Sequence, residues 1–450
     1  MLEYFILTCV GICCVLTLQR WQTGIWLCVL VGLLQDPVRK LVPGEPVYMV
    51  VLCAVVFAAV ILSLVIRRYS FSVHRVPGWR PVLSRALIVL MMIVLFQLVL
   101  AYINFNSVMV VMLGALTYFT PILAILAGFY FSCRAGESGV VRFMLFYCVI
   151  CTVFTSGIYL EYLGFDWQVL GEVGPGLIIY DVGTKLKSYS GFFRSSEMAA
   201  WHIVLGSSFL LILATNSRYN SVRLLCVLGI VFLVSAGILT GRRKLIVSVV
   251  IFLTCYWFLI TVYYRRSLRV AVVVVLLGLT AFWVTANEYY AADREGAVYD
   301  LYVERASGVF ADITERGRNL GISAVVSAVR KHGLIGLGAG VAGQGARFAG
   351  GSVGYHYEAE GGLGKLVIEL GLLGLFAVLF VLVAFSLYLW RVMQYVSARG
   401  GSYGYICYGM IAILLANLAH FTVASQVFSD PLVLILLGLF TGIIASGPVL

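Results

Sequence analysis

VYMVVLCAVVFAAVILSLVI, residues 47–66, runs for 20 residues without a charge and is followed by Arg67 and Arg68. A helix rises about 1.5 Å per residue, so a run of that length covers about 30 Å, the thickness of a bilayer's hydrocarbon core. Comparable runs recur from one end of the 450-residue chain to the other. Stretches such as Val270–Leu277, VAVVVVLL, do not alternate apolar with polar residues, so they fit helices and not the strands of a membrane barrel. In lipid every backbone N–H and C=O needs an internal partner, which continuous helices supply.

Composition agrees. Hydrophobic residues make up 62% of the chain and charged residues 11%, with a mean hydropathy of +1.02. Soluble domains carry about 25% charged residues, so an ordinary cytosolic enzyme, a disordered chain and a DNA-binding domain are excluded. The expected fold class is an all-α polytopic membrane protein, a single integral domain over residues 1–450. About 13 spans are predicted (12–14), near 2–18, 22–34, 47–66, 86–104, 107–131, 141–163, 198–215, 223–240, 245–263, 270–287, 363–390, 405–427 and 431–448. No cleavable signal peptide is expected, because Met1-Leu-Glu lacks a basic start. Ten of the 11 cysteines lie in or beside apolar runs, so no disulfide framework or cysteine-based metal site is indicated.

The loop 67–85 holds Arg67, Arg68, Arg75, Arg80 and Arg85, which marks it as cytoplasmic. Counting spans from there puts Arg134/Arg142, Arg218/Arg223, Arg265/Arg266/Arg269 and Arg391/Arg399 on the same side. The formal net charge of +11 then divides unevenly: cytoplasmic loops hold 15 of the 31 Lys and Arg and one of the 20 acids. The outer side is slightly acidic, so the excess is an orientation signal and not a nucleic-acid patch. Residues 35–46, 164–197, 241–244 and 288–362 fall outside the cytoplasm. The smaller segment, 164–197, and the large loop, 288–362, are both too long for plain turns. The large loop is expected to carry an amphipathic helix around 317–331, with Leu320, Val325 and Val329 at helical spacing, followed by the glycine-rich run GLIGLGAGVAGQGARFAGG.

Four groups of outer charges are not explained by orientation, and ionisable residues near a membrane often mark function. Gly241-Arg242-Arg243-Lys244 reads equally as a snorkelling turn or as a phosphate pocket. Arg194 in Gly191-Phe-Phe-Arg-Ser-Ser-Glu197 is expected to pair with Glu197 at a helix start. Arg316 and Arg318 read as a solvated run or an anion site. Tyr355-His356-Tyr357-Glu358-Ala-Glu360-Gly-Gly-Leu-Gly-Lys365 offers one His and two Glu for general-base work, or a loop whose acids favour a helix N-terminus. Its spacing does not suit zinc. Glu369, inside the next helix, needs a partner. Asp36-Pro37-Val38-Arg39-Lys40 in the first outer loop suggests no mechanism by itself.

The order of these features resembles the O-antigen polymerase and O-antigen ligase superfamily of bacterial envelope glycosyltransferases, over roughly 86–390. The resemblance rests on Gly191-Phe192-Phe193-Arg194, Gly241-Arg242-Arg243, Arg318 with the 317–331 helix, Gly336-Leu-Gly338-Ala-Gly340 and Glu369-Leu-Gly371-Leu-Leu-Gly374. Glu360, with Lys365 in a slot often held by Arg, is similar to the polymerase branch; ligases tend to carry His-Asn there. The Asp36–Lys40 run also looks similar to one in exopolysaccharide loci. The resemblance implies a GT-C-like inner-membrane enzyme acting on the periplasmic face, without metal or nucleotide donor. Its substrates would be polyprenyl-diphosphate-linked oligosaccharides as donor and acceptor, with a chain-length regulator protein as a possible partner and no nucleic acid. Arg242, Arg243 and Arg318 would hold the diphosphate, with Arg194 and Lys365 as helpers and Arg316 in support. Glu360 would be the general base and His356 its reserve, with inversion at the anomeric carbon; Glu358 as a nucleophile would give retention. Glu369 would anchor Lys365 or an arginine, and Tyr355, Tyr357 and Phe348 would stack on sugars. The alternatives are a ligase acting on lipid A core or protein, and a polysaccharide or lipid transporter.

Overall fold

The structure is a computed structural model that describes residues 2–69, 81–173, 178–181, 184–264, 321–343, 345–346, 359 and 361–450. Its elements in chain order are α1 (Leu2–Gln19), α2 (Trp21–Leu41), a short 3-10 turn (Val47–Val51), α3 (Leu52–Ile66), α4 (Pro81–Phe105) and α5 (Val108–Tyr162). They continue with strands β1 (Ile178–Asp181) and β2 (Thr184–Lys187), then α6 (Ser196–Asn216), α7 (Asn220–Leu239) and α8 (Arg243–Tyr264). The last are α9 (Ile322–His332), α10 (Gly362–Arg399), α11 (Tyr403–Val423) and α12 (Pro431–Ser446). The chain is thus a helical, multi-pass membrane protein. Among the described residues, nine helices are long and apolar enough to cross a membrane.

The spans agree with expectation in one region and depart from it in two. The predicted spans 107–131 and 141–163 correspond to the two helical stretches of α5, which meet at a kink at Gly136, non-helical at φ 64° and ψ −173°. The predicted span 22–34 continues to Leu41, so the Asp36–Lys40 run is the last turns of α2 and not a loop; Pro37 is accommodated inside the helix. The all-α expectation gives way in the 164–197 segment, where β1 and β2 pair antiparallel, Ile178 facing Lys187 and Asp181 facing Thr184. The predicted span 270–287 lies outside the described residues.

The centre of the bundle is α12, which is buried nearly throughout its 16 residues. It packs on α5 through glycines that admit backbone against backbone. A Cβ at Gly442 would sit 2.1 Å from the Ile125 carbonyl oxygen, one at Gly438 2.4 Å from that of Pro121, and one at Gly128 2.3 Å from that of Leu439. Gly438 and Gly442 are four apart, the small-residue spacing that brings membrane helices into close contact. Around this column lies one large apolar core in which Tyr147, Phe209, Tyr256, Tyr408 and Phe440 are wholly buried.

Candidate functional site

The C-terminal ends of α2, α5, α7 and α11 and the N-terminal ends of α6, α8, α10 and α12 meet at one end of the bundle. That is the end opposite the Arg67/Arg68 loop. The segment 188–195 crosses it and sits in a charged frame. Gly191 adopts φ 58°, and a Cβ there would lie 2.4 Å from the Ile158 nitrogen, so only glycine fits. Glu161 Oε2 accepts the backbone N–H groups of Ser190 (3.0 Å) and Gly191 (2.8 Å). Its other oxygen lies 3.2 Å from Lys187 Nζ. Lys40 Nζ donates to the carbonyl oxygens of Gly191 (2.8 Å), Phe193 (2.7 Å) and Val169 (3.1 Å). Arg39 turns away and donates Nε to the Glu45 carbonyl at 2.9 Å.

Arg194 does not pair with Glu197. Its Nη2 lies 2.5 Å from Asp430 Oδ2 and its Nη1 3.4 Å from Asp36 Oδ1, and its backbone N–H donates to Asp36 Oδ2 at 3.1 Å. Burial pulls the guanidinium's pKa down, but the two carboxylates outweigh it and hold the group above its ordinary value, charged at all working pH. Asp430 also caps α12, its Oδ1 accepting the Val433 N–H at 3.0 Å, with Pro431 in the first turn. Arg194 is thus consumed inside the protein.

Glu197 instead serves the Gly241–Lys244 turn. Ser195 caps α6 by accepting the Met198 N–H at 3.3 Å, which presents Ser196 and Glu197 at the helix start. Arg242 Nε donates to Ser196 Oγ at 2.9 Å, its Nη1 lies 4.0 Å from Glu197 Oε1, and Lys244 Nζ donates to the same oxygen at 3.1 Å. One carboxylate therefore faces two cations. Arg242 Nη2 is buried and has no hydrogen-bond partner among the described residues. Arg243 opens α8; its side chain lies outside the described residues, as do Arg316, Arg318, Phe348, Tyr355, His356, Tyr357, Glu358 and Glu360.

Lys365 and Glu369 do not pair, contrary to expectation. Lys365 is 2% exposed and donates Nζ to Ser429 Oγ at 2.8 Å, next to Asp430 in sequence. Glu369 accepts the Tyr118 hydroxyl at 2.5 Å and the Ala342 N–H at 3.1 Å, so it anchors the glycine-rich segment and α5 rather than a cation. That segment is not a simple outer loop. Gly338 has φ 122°, and a Cβ on it would meet Ala101 Cα at 2.5 Å. Leu337 N–H donates to the Ile368 carbonyl (2.7 Å) and Ala339 N–H to that of Gln97 (3.1 Å). Gln97 Nε2 donates in turn to the Ile335 (2.6 Å) and Leu370 (3.3 Å) carbonyls, beside the non-helical Gly371 of α10. Irregular backbone among membrane helices is stable only when satisfied internally, as it is here. The amphipathic helix expected around 317–331 is observed as Ile322–His332, held to α10 through Ala328.

Segments singled out in the sequence meet in two pairs, 191–197 with 241–244 and 336–343 with the start of α10, and the neighbours Ser429 and Asp430 link Lys365 of one pair to Arg194 of the other. Sequence reasoning missed Asp36, Lys40 and Asp430, which hold the 191–194 stretch, and Glu172, whose Oε1 accepts the Ser196 N–H at 2.8 Å, and it missed His420. His420 Nδ1 lies 3.1 Å from Ser248 Oγ, one turn below Lys244, while its Nε2 is buried without a partner among the described residues. The signal for the acids was available, since Asp36 and Asp430 sit at helix ends in otherwise apolar surroundings. Among the described residues no group of three or more His, Cys, Asp or Glu could hold a metal ion. Arg194 thus faces two carboxylates, whereas Arg242 and Lys244 share one. No protein-family model matches the chain, and no curated protein matches it.

Proposed function

We propose that the chain is a GT-C-like membrane glycosyltransferase that polymerises polyprenyl-diphosphate-linked oligosaccharides into an exopolysaccharide or O-antigen on the outer face of a bacterial inner membrane, with about 13 spans. The observation that carries this reading is local: Arg242 and Lys244 share a single carboxylate, and Arg242 Nη2 is buried without a partner among the described residues. Transfer from a lipid diphosphate concentrates negative charge on the leaving group, and preorganised cations aimed at it lower the barrier. Guanidinium matches phosphate oxygens in bidentate fashion, and a diphosphate headgroup resides at the membrane surface where helix ends lie. Arg243 and Arg318 complete the cation set in this reading, and Lys365 assists. Glu360 takes the proton of the acceptor hydroxyl, with His356 as the alternative base, in one inverting displacement without metal.

Full-length Arg242→Ala in a producing cell tests the reading. The expected result is loss of polymer with unchanged protein level and accumulated lipid-linked repeat units. Unchanged polymer length would overturn it. Transfer of finished glycan to lipid A core or protein uses the same cations, and His356, four residues before Glu360, favours that second reading; incorporation of label into polymer or into acceptor separates the two.

A further inference from the structure

The segment 190–197 is tied down far more heavily than a helix cap requires. Asp36 holds the backbone N–H and side chain of position 194, Asp430 holds the other arm of the guanidinium, and Lys40 holds the carbonyls of Gly191 and Phe193. Two residues further on, Ser196 Oγ and Glu197 Oε1 carry the Arg242 guanidinium, at 2.9 Å and 4.0 Å. We propose that Asp36, Lys40 and Asp430 are positioning residues for Arg242, acting through the 191–197 segment on which its guanidinium rests, and that Arg194 is the neutralised pin of this clamp and not a ligand. This rests on the reading of Arg242 as a diphosphate ligand.

Two features carry the proposal. The first is connectivity. Ser195 is extended and already engaged as the α6 cap, so little slack separates the clamp from Ser196. A displacement of about 1 Å in a positioned catalytic group costs on the order of 10²-fold. The second is charge balance. Asp36 and Asp430 both lie on Arg194, Lys40 is bonded to carbonyl oxygens, and Glu172 Oε1 accepts the Ser196 N–H at 2.8 Å, so Glu197 is left to the 242–244 turn. Removing Asp430 frees one arm of the Arg194 guanidinium three residues from Glu197, where it competes with Arg242 and Lys244. Removing Arg194 together with that carboxylate restores the balance, and Asp36 still accepts the backbone N–H of position 194.

The test uses the purified full-length protein and undecaprenyl diphosphate, with retention of the lipid measured by native mass spectrometry. Arg242→Ala, Asp430→Asn and Lys40→Met are each expected to weaken retention on the order of 10²-fold. The double variant Arg194→Gln/Asp430→Asn is expected to return retention to near that of the unaltered protein. A purely structural role for Asp430 predicts no such rescue, and a ligand role for Arg194 predicts further loss; either result overturns the proposal. Should Asp430→Asn fail to accumulate, Lys40→Met and the double variant still decide between these outcomes. If Arg242→Ala retains the lipid normally, the diphosphate reading itself fails and the proposal falls with it. If Arg242→Ala loses the lipid but the double variant does not recover it, only the proposal fails.

Discussion

Asp430→Asn removes one carboxylate from a buried guanidinium while keeping its shape. The Asp430 side chain is 1% exposed and that of Arg194 16%, so neither charge is relieved by water. Breaking one side of a buried ion pair costs about 3–5 kcal/mol. Asp36 still faces Arg194 at 3.4 Å, which places the expected cost at the lower end, about 3 kcal/mol. The amide oxygen of Asn still accepts the Val433 N–H, so the α12 cap survives. Asp430→Ala loses the cap as well, adding about 1 kcal/mol. Unfolding of the full-length protein in bicelles, followed by steric trapping, measures both. The decisive comparison is the cycle with Arg194→Gln. Deleting both partners leaves Asp36 and Lys40 balanced, so the double variant is expected to cost less than the sum of the singles by at least about 1 kcal/mol. Additive costs would refute the pairing, and equal costs for Asn and Ala would refute the cap.

Gln97→Leu leaves the Ile335 and Leu370 carbonyls without their donor, and is expected to cost about 1–3 kcal/mol in the same unfolding measurement. Gly338→Ala places a Cβ 2.5 Å from Ala101 Cα at φ 122° and is expected to prevent accumulation in membranes. Gly333→Ala, at φ 79° with nothing within 4 Å, is expected to accumulate at a cost of about 1–3 kcal/mol; equal behaviour of the two would refute the close packing of the glycine-rich run. Glu360→Gln is expected to slow polymerisation about 10²–10⁴-fold in an assay with purified lipid-linked repeat units. Full loss in His356→Gln with a mild Glu360→Gln effect would transfer the base role to His356.

Helices were legible because their signal is an uninterrupted run, as in Val47–Ile66, and needs no partner to be read. The meeting of Gly191–Glu197 with Gly241–Lys244, and of Gly336–Gly340 with α10, was legible only as an order along the chain. Pairings were not legible, because they join residues far apart in sequence. Arg194 has Glu197 within one turn, and local spacing favours that pair. The structure chooses Asp36 and Asp430, 158 and 236 residues away, because an extended Ser195 turns the chain between Arg194 and Glu197. Asp36–Lys40 was misplaced for a related reason. Proline and three charges look like a loop, yet Pro37 sits in a helix whose last turns face protein, with Asp36, Arg39 and Lys40 buried. Glu369, inside an apolar helix, was expected to anchor Lys365 or an arginine. It is taken by Tyr118 and the Ala342 amide because the glycine-rich run folds back onto α10.

In the proposed reading, charge accounting at this end of the bundle decides which cations are available to a substrate. Topology alone gives that side more acids than bases, which would disfavour an anionic headgroup. The acids are not free, however. Asp36 and Asp430 are spent on Arg194, and Glu161 on the amides of Ser190 and Gly191 and on Lys187. Glu197 is divided between Arg242 and Lys244. A carboxylate held by a cation or by backbone N–H groups repels an incoming anion far less than an open one, because its field is already compensated at short range. What remains is a guanidinium with a buried nitrogen lacking a partner among the described residues, an ammonium on a shared carboxylate, and Lys365 on a hydroxyl. The clamp thus does two things at once. It shapes the segment that carries Arg242, and it removes the acids that would otherwise cancel it.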